Sequence, residues 1–545
     1  MLRYGYSLML LLGAALAAPQ TERTSWANSW SKRQLPDDPT GVQKLITPNG
    51  NTIRYKEPGK HGVCETTPGV RSYSGYIDLS PDSHTFFYFF EARHDPANAP
   101  LTLWLNGGPG SDSLIGLYQE LGPCSINSDY ESYVNPYSWN EVSNMLFISQ
   151  PVGVGFSYDN KTAGSLNPLT GAVENASVAG VEGRFPVIDP KAIDTTDEAA
   201  HAAWEIVQGF MGGLPLLDPR IQSKTFNLWT ESYGGHYGPA FYHHFYEQNQ
   251  KIANGEDGIH LDFDTLGIIN GIIDEGIQAP SYPEFAVNNT YGIKAVNDTV
   301  YNYMKFANSM PNGCQDQVAA CSRTKRESVI EHAICTEATN MCRDNVESPY
   351  YSFSGRGTYD IRASAANNPT PAFDYNGYLE RPDIKNALGV DLNYTQSSSE
   401  IYYAFQQTGD FSWPNFIHDL NELLDLPVRV ALIYGDADYI CNWFGGEVVS
   451  NAVEYSGVEK WHEAGYVPMM VDGHQYGDTR EYGNYSFTRI FQAGHMVPFY
   501  QPSASLALFN RTLFGWDIAT GEMKINDHFI TYGPPESTHR QDGPL

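Results

Sequence analysis

Short apolar runs that end in turn residues recur along most of the chain. Residues 73–106 contain three of them, YSGYIDL, HTFFYFFEA and LTLWLN, and the last two are apolar or aromatic at nearly every position. Four more follow: NMLFISQ (144–150), FNLWTES (226–232), TLGIING (265–271) and VRVALIYGDAD (428–438). Continuous apolar runs are typical of strands buried on both faces. The pattern therefore predicts a sheet with a buried centre.

Helical spacing appears between these runs. Residues 197–214 repeat Ala, Trp, Ile, Val and Phe at helical intervals and contain a Gly-Gly pair near their end. They predict a helix just before the strand at 226–232, and residues 239–246 predict another just after it. Strands that alternate with helices indicate an α/β fold with parallel strands.

Two regions depart from this rhythm. Residues 161–190 are rich in Gly, Ala, Asn and Ser, which favours a surface loop. Residues 280–370 contain four cysteines and little strand pattern, which favours an inserted helical cap stapled by disulfides. We expect one domain over residues 34–545 that carries this cap.

The N-terminal segment has the pattern of a secretory leader. Residues 1–17 combine an early arginine, an apolar stretch and a small-x-small cleavage site, and they are too short to span a membrane. Lys32-Arg33 before Gln34 either ends a propeptide at 18–33 or is an ordinary exposed basic pair. Together with the leader, seven N-x-S/T sequons predict a secreted glycoprotein, at Asn160, Asn175, Asn288, Asn297, Asn393, Asn484 and Asn510.

Charge narrows the class of partner. The net charge is −30, from 33 basic and 63 acidic residues, so a nucleic-acid partner is not expected. Solubility explains such acidity, and so does work at acidic pH, where the carboxylates are partly neutralised.

No later apolar run is long enough for a membrane span. The sequence contains neither H-E-x-x-H nor C-x-x-C, so no metal and no cofactor are predicted.

A serine in WTESYGGHYGP (229–239) has the context of a nucleophile. Ser232 follows a buried-type strand, and glycines and a helix-like segment come next, which is the geometry that exposes a nucleophile. A carboxylate could come from Asp436 or Asp438 at the end of a strand, and a base from His495 in FQAGHMVPFYQP. The order Ser232, Asp438, His495 is that of α/β-hydrolases. Taken singly, each of these residues could be structural.

A Gly-Gly loop follows the strand at 101–106, in LWLNGGPG. In the α/β-hydrolase fold a loop at this place supplies the second oxyanion donor. A plain tight turn is the alternative.

At these motifs the chain resembles the serine carboxypeptidases, the family of carboxypeptidase Y. The resemblance covers most of the mature chain and is specific at W-L-N-G-G-P-G, E-S-Y-G-G-H-Y-G-P, G-D-x-D-x-x-C-N-W and G-H-M-V-P-x-x-Q-P. GVCETTPGVRSYSGYIDL and NGGPGSDS are similar to secreted fungal members of the S type. The resemblance implies an α/β-hydrolase fold with a mostly parallel central sheet, flanking helices and an inserted helical cap.

The resemblance also implies the catalytic roles. Ser232 would be the nucleophile, His495 the base and Asp438 the acid that orients it. The backbone N–H groups of Gly108 and Tyr233 would form the oxyanion hole.

Further roles concern substrate binding. Glu231, Asn106 and Glu120 would bind the terminal carboxylate of the substrate, in a hydrogen-bonded group that includes Trp104. Two carboxyls held close cannot both ionise, so one would keep a proton and donate a hydrogen bond to the carboxylate of the substrate. It would lose this capacity as the pH rises. Met496 would wall the pocket for the leaving side chain.

The cysteine pattern is also similar to the family's. The resemblance implies the pairs Cys314–Cys342 and Cys321–Cys335, a Cys64–Cys124 pair, and a free Cys441 near the substrate. Ser111 stands where the family commonly has a cysteine, and Gln119 is more polar than the aromatic residue often found in the leaving-residue pocket.

We therefore expect a secreted serine-type carboxypeptidase that releases C-terminal amino acids from peptides and proteins through an acyl-enzyme and favours acidic pH. The alternatives are an acyltransferase or a general acyl hydrolase on the same fold, and a catalytically silent binding protein. The oligomeric state stays open between monomer and homodimer.

Overall fold

The computed structural model describes residues 37–167, 173–174, 181–367 and 371–541. The predicted leader at 1–17, the possible propeptide at 18–33 with Lys32-Arg33, and the Asn175 sequon lie outside the described residues.

A sheet of twelve strands forms the centre of the described chain. Its strands are β1 Gln43–Ile46, β2 Thr52–Lys56, β3 Ser72–Ser80, β4 Ser83–Phe90, β5 Leu101–Leu105, β6 Asn144–Ile148, β7 Thr225–Glu231, β8 Asp262–Ile269, β9 Arg429–Gly435, β10 Val467–Val471, β11 His474–Tyr482 and β12 Tyr485–Ile490. Their order across the sheet is β1-β2-β3-β4-β6-β5-β7-β8-β9-β12-β11-β10.

The six strands from β6 to β12 in this order run parallel, and both margins are antiparallel. The sheet is thus mixed, with a parallel centre. The sequence pattern predicted β3 to β9 but not β1, β2 and β10 to β12, of which β12 is fully buried. Burial explains part of the difference, because β1, β2 and β10 are only partly buried and carry no continuous apolar run.

Helices cover both faces of the sheet. Leu103 and Leu105 belong to one hydrophobic cluster and Trp104 between them belongs to the other, as the alternation of side chains along a strand requires. The helices are Leu114–Gly116, Thr196–Leu217, Gly234–Ala253, Glu275–Gln278, Ser281–Val287, Asp298–Ser309, Cys314–Cys321, Val329–Cys342, Pro349–Phe353, Asp374–Leu379, Pro382–Leu388, Ser399–Thr408, Phe416–Leu424, Trp443–Ala452, Val458–Glu463, Val497–Tyr500 and Pro502–Leu513. Two π-helical turns are Leu117–Leu121 and Arg343–Glu347, and four 3₁₀ turns are Pro58–His61, Trp139–Glu141, Ala365–Asn367 and Asp410–Ser412. Strands Cys124–Ile126 and Ser132–Val134 form a separate antiparallel pair.

The region at 161–190 is not only a loop. Strand Asn160–Leu166 pairs in antiparallel fashion with Val181–Val187 and with Val173–Glu174. The strands pair with one another outside the main sheet, and their Gly, Ala, Asn and Ser residues have weak strand propensity, so the sequence pattern did not predict them.

Helices fill the chain between β8 and β9, from Glu275–Gln278 to Phe416–Leu424. The helical region therefore extends on both sides of the predicted cap at 280–370. Its helices are joined by the disulfides Cys314–Cys342 and Cys321–Cys335, while Cys64–Cys124 joins two segments near the first strands. Of the seven cysteines, all in the described chain, Cys441 alone is a free thiol.

One of the described sequons is inaccessible. Asn393 is only 5% exposed, its Oδ1 accepts from the Arg184 backbone N–H at 3.1 Å, and its Nδ2 donates to Glu380 at 3.1 Å. The nitrogen that would carry a glycan at Asn393 is thus enclosed in the folded protein, so we expect no glycan there. The other described sequons are exposed or partly exposed, at Asn160, Asn288, Asn297, Asn484 and Asn510.

Among the helices of the described residues, none combines the length and the apolar character that crossing a membrane requires.

Candidate active site

Ser232 lies on a sharp turn between β7 and helix Gly234–Ala253. Its φ of 65° is in the left-handed region, its N–H donates to Ile269 O at 3.0 Å, and its carbonyl accepts from Gly235 and Ile272. A Cβ on Gly235 would lie 2.3 Å from Ile272 O, so only glycine fits this turn. Ser232 is the one residue over 226–242 that is not buried. The turn thus presents its side chain at the carboxyl edge of the parallel strands.

His495 and Asp438 form a buried pair at the same edge. His495 Nδ1 lies 2.7 Å from Asp438 Oδ2, and the two residues follow β12 and β9. Burial raises the pKa of Asp438, although His495 opposes the rise. His495 is also fixed through its backbone, because its N–H donates to Tyr359 O at 2.9 Å.

Cys441 lies close to Ser232, Asp438 and His495. Its thiol faces the Ser232 side chain, and atoms of Asp438, Cys441 and His495 all lie within 4.8 Å of one another. Burial raises the pKa of this thiol well above its usual value. A neutral thiol is a poor nucleophile.

Asn270 joins the segments that carry Asp438 and His495, and the sequence pattern missed it. Its Nδ2 donates to the carbonyls of His495 and Gly494, and its Oδ1 accepts from the Gly435 N–H at 2.8 Å. The only local signal was an Asn-Gly pair after β8, which indicates a turn.

The second aspartate at the end of β9 has a different position. Asp436 Oδ1 accepts from Tyr291 Oη at 2.5 Å and from the Gln492 N–H at 2.8 Å. It therefore holds the loop that precedes His495 and makes no hydrogen bond with the imidazole among the described contacts.

The Gly-Gly loop after β5 packs against the turn that carries the serine. A Cβ on Gly107 would lie 2.3 Å from Tyr233 N, and Gly108 has a φ of 109°. Among the described residues, neither the Gly108 N–H nor the Tyr233 N–H has a hydrogen-bond acceptor. Two backbone donors next to Ser232 are thus available to an oxygen of a bound molecule.

A buried group of polar side chains includes Glu231, the residue directly before Ser232. Asn106 Nδ2 lies 3.3 Å from Glu120 Oε1 and 3.3 Å from Glu231 Oε1. Asn106 Oδ1 accepts from Trp104 Nε1 and from the Gly116 N–H, both at 2.8 Å. The remaining oxygens, Oε2 of Glu120 and Oε2 of Glu231, are buried without a partner in the described chain.

The two carboxyls of this group favour the protonated state. Burial raises the pKa of Glu231 well above its usual value, and the charge of Glu120 raises it further. Burial also raises the pKa of Glu120. A proton is therefore retained here under acidic conditions, and a carboxylic acid can donate a hydrogen bond.

Met496 and Gln119 lie near the site but differ in their contacts. Met496 is half-buried and directly precedes the short helix Val497–Tyr500. The amide nitrogen of Gln119 donates to the carbonyls of Pro371 at 2.9 Å and Ala372 at 3.2 Å. These backbone contacts occupy the donor of Gln119.

Comparison with known proteins identifies the family. The model of the serine carboxypeptidase family matches residues 58–515. Carboxypeptidase S1 homolog A of Arthroderma otae is 43% identical over 89% of this chain and 80% of its own length. The chain belongs to the serine carboxypeptidase family. Carboxypeptidase S1 of Penicillium janthinellum is 36% identical over 83% of this chain and 97% of its own, and the vacuolar serine-type carboxypeptidase ATG42 of Saccharomyces cerevisiae is 32% identical over 88% and 86%.

A solved structure shows the same fold. The prohormone-processing carboxypeptidase Kex1Δp of Saccharomyces cerevisiae superposes with a TM-score of 0.65 at 22% identity, over 84% of this chain and 94% of its own. The predicted α/β-hydrolase fold, family and enzyme class are confirmed, and the enzyme is a serine-type carboxypeptidase. The roles of individual residues stay predictions.

Proposed function

We propose that the enzyme is a secreted carboxypeptidase that releases C-terminal amino acids at acidic pH through an acyl-enzyme on Ser232. The observation that carries this proposal is the buried group of Asn106, Glu120 and Glu231 directly beside the nucleophile. Its amide and its protonated carboxyl can both donate to a substrate's terminal carboxylate. A hydrolase without a preference for free C-termini has no need of such donors.

The acylation step uses the His495–Asp438 pair. Asp438 accepts the Nδ1–H of His495, which leaves Nε2 free to take the proton of Ser232 as Oγ attacks the last peptide carbonyl. The N–H groups of Gly108 and Tyr233 donate to the resulting oxyanion. The C–N bond then breaks, the leaving amine takes the proton from His495, and the C-terminal amino acid departs.

Deacylation repeats these steps with water. His495 removes a proton from the water molecule as the water oxygen attacks the ester carbonyl. The bond between the carbonyl carbon and Ser232 Oγ then breaks, Oγ takes the proton from His495, and the shortened peptide leaves with a free carboxyl group. If an alcohol or an amine took the place of water, the same site would act as an acyltransferase.

Secretion is proposed from the sequence of the N-terminal segment and from the sequons. A relative named as vacuolar makes the vacuole the competing destination. Mass spectrometry of the culture medium, with N-terminal sequencing, tests both points: secretion predicts the protein in the medium, and cleavage after Arg33 predicts a start at Gln34.

The activity is tested with an N-blocked dipeptide and its C-terminal amide, at about pH 4.5 and about pH 7. The proposal expects the free acid to be cleaved much faster than the amide at the lower pH, with a smaller difference at the higher pH. Equal cleavage of acid and amide at both values would indicate a general acyl hydrolase. Ester or amide products formed with added methanol or amine, in preference to hydrolysis, would indicate a transferase.

A further inference from the structure

We infer that Asp410 and Arg326 are positioning residues for the oxyanion donor Tyr233, and that they act through its phenol hydroxyl. The inference rests on the proposed function, in which the Tyr233 N–H stabilises the oxyanion. In the described contacts, neither residue touches Ser232 or the carboxylate-binding group of Asn106, Glu120 and Glu231. No local sequence pattern marked Asp410 or Arg326.

Asp410 is a fully buried carboxylate with four donors. It accepts from Tyr233 Oη and Thr196 Oγ1, both at 2.5 Å, from Arg326 Nη1 at 2.7 Å and from the Thr196 N–H at 3.1 Å. Burial opposes its charge, but Arg326 and the hydrogen bonds together hold the pKa of Asp410 below its usual value. Asp410 is therefore an ionised acceptor throughout the working pH range, and its bond with the phenol is charge-assisted.

Arg326 reaches this acid from a strained backbone position. It lies in the loop closed by Cys321–Cys335, with a φ of 53° that non-glycine residues seldom adopt. Its side chain is only 6% exposed and its guanidinium stacks 4.5 Å above the Trp413 ring. Such strain persists where the surroundings fix a conformation strongly. The disulfide loop thus delivers a buried cation to Asp410.

In the described contacts, the Tyr233 side chain makes one hydrogen bond, through its hydroxyl group. Its ring packs on His236 at 4.4 Å and on Phe411 at 4.8 Å, and its hydroxyl donates to Asp410 at 2.5 Å. An oxyanion donor is effective only at the correct distance from the developing charge. Losing the anchor should therefore lower kcat and leave KM, which depends on the carboxylate-binding group, largely unchanged.

A purely structural role for Asp410 is the competing explanation, because it also binds Thr196 at the start of helix Thr196–Leu217. Tyr233→Phe separates the two, since it removes only the hydroxyl and leaves the contacts between Asp410, Thr196 and Arg326 in place. Arg429→Met is the matched control for Arg326→Met. Arg429 forms a buried ion pair with Glu481 at 3.0 Å, at the opposite end of β9 from Asp438.

The experiment measures kcat and KM per active site, with the active sites counted by organophosphate labelling, on an N-blocked dipeptide and on an ester of the same acyl group. We expect Tyr233→Phe and Arg326→Met to lower kcat by about tenfold with KM within about twofold. Arg326→Lys should recover part of the loss, and Arg429→Met should lower the unfolding temperature with kcat unchanged.

Wild-type kcat per titrated site in Tyr233→Phe would overturn the inference, and this variant decides the question even if Arg326→Met does not fold. Failure of the wild type to cleave the dipeptide would instead reject the proposed function. The ester series would then still test the positioning of Tyr233, because ester hydrolysis needs the same oxyanion donor.

Discussion

Glu120 and Glu231 present one oxygen each to the same nitrogen, because Oε1 of both lies 3.3 Å from Asn106 Nδ2. Two buried carboxyls in this arrangement repel each other unless one is protonated. The position of Glu231 directly before Ser232 is therefore no obstacle to nucleophilic attack at acidic pH. The acid is neutral there, and in the proposed function it binds the terminal carboxylate of the substrate.

Substitution of Glu231 by glutamine tests this arrangement. In the wild type the pKa of Glu231 is raised, so the proton is present at low pH and is lost as the pH rises, and KM for a free-acid dipeptide should rise on the order of tenfold. In Glu231→Gln an amide donates at every pH, so the rise should be much flatter. The measurement is KM against pH from about 4.5 to about 7.5.

Glu275→Gln is the matched control for this experiment. Glu275 is a buried acid with a raised pKa in the helical region, and it makes no hydrogen bond with the carboxylate-binding group in the described chain. Its KM profile should follow the wild type. A wild-type pH profile in Glu231→Gln as well would remove Glu231 from the substrate-binding role.

The two aspartates after β9 should differ sharply when each is changed to asparagine. Asp438→Asn can no longer hold the Nδ1–H tautomer of His495, so kcat should fall by about 10³-fold to 10⁴-fold. Asp436→Asn keeps an oxygen that accepts from Tyr291 and Gln492, so its loss should be far smaller. Steady-state kinetics on titrated enzyme measures both, and equal losses would contradict the assignment of Asp438.

Stability should be greatest on the acidic side of neutrality. Burial, chiefly, raises the pKa of Glu275 to about 8 and that of Asp112 to about 7. Between their ordinary values and these values the folded protein binds more protons than the unfolded chain, so stability falls as the pH rises. Asp410, with its lowered pKa, acts in the opposite sense and loses its contribution below its usual range. Urea unfolding at about pH 4.5 and about pH 7.5 should show the lower midpoint at the higher pH.

Glu275→Gln should remove part of this dependence. The side chain is 4% exposed, so the ionisation of Glu275 lowers the free energy of unfolding by on the order of 3 kcal/mol near pH 7 and has almost no effect near pH 4.5. The variant should therefore raise the urea midpoint at the higher pH only. Glu256→Gln, at an exposed position, should change neither midpoint. Equal shifts at both pH values would mean that Glu275 does not titrate on unfolding.

The sequons should be used unequally if the protein enters the secretory pathway. Exposed asparagines such as Asn160 and Asn510 can carry a glycan, whereas Asn393 is enclosed by Arg184 and Glu380. Enzymatic deglycosylation followed by peptide mass spectrometry reads each site. Full occupancy at Asn393 in the active enzyme would contradict this placement.

The sequence by itself determined most of the buried strands, the turn at Ser232 and the candidate triad. Each depends on neighbours within a few positions: apolar runs specify buried strands, and glycines permit the turn. Ser232, Asp438 and His495 each follow a strand, and the carboxyl ends of parallel strands meet at one edge of the sheet.

Only the tertiary structure decided the contacts between distant parts of the chain. It showed the separate contacts of Asp438 and Asp436, enclosed Asn393, and brought Arg326, Asp410 and Tyr233 into one hydrogen-bonded group. Hydrogen bonds of this kind depend on where separate helices and loops pack against each other. Such contacts produce no recognisable pattern in the sequence of any one helix or loop. The candidate catalytic residues can therefore be predicted from local sequence patterns. The contacts that position them depend on how distant parts of the chain pack in the folded protein.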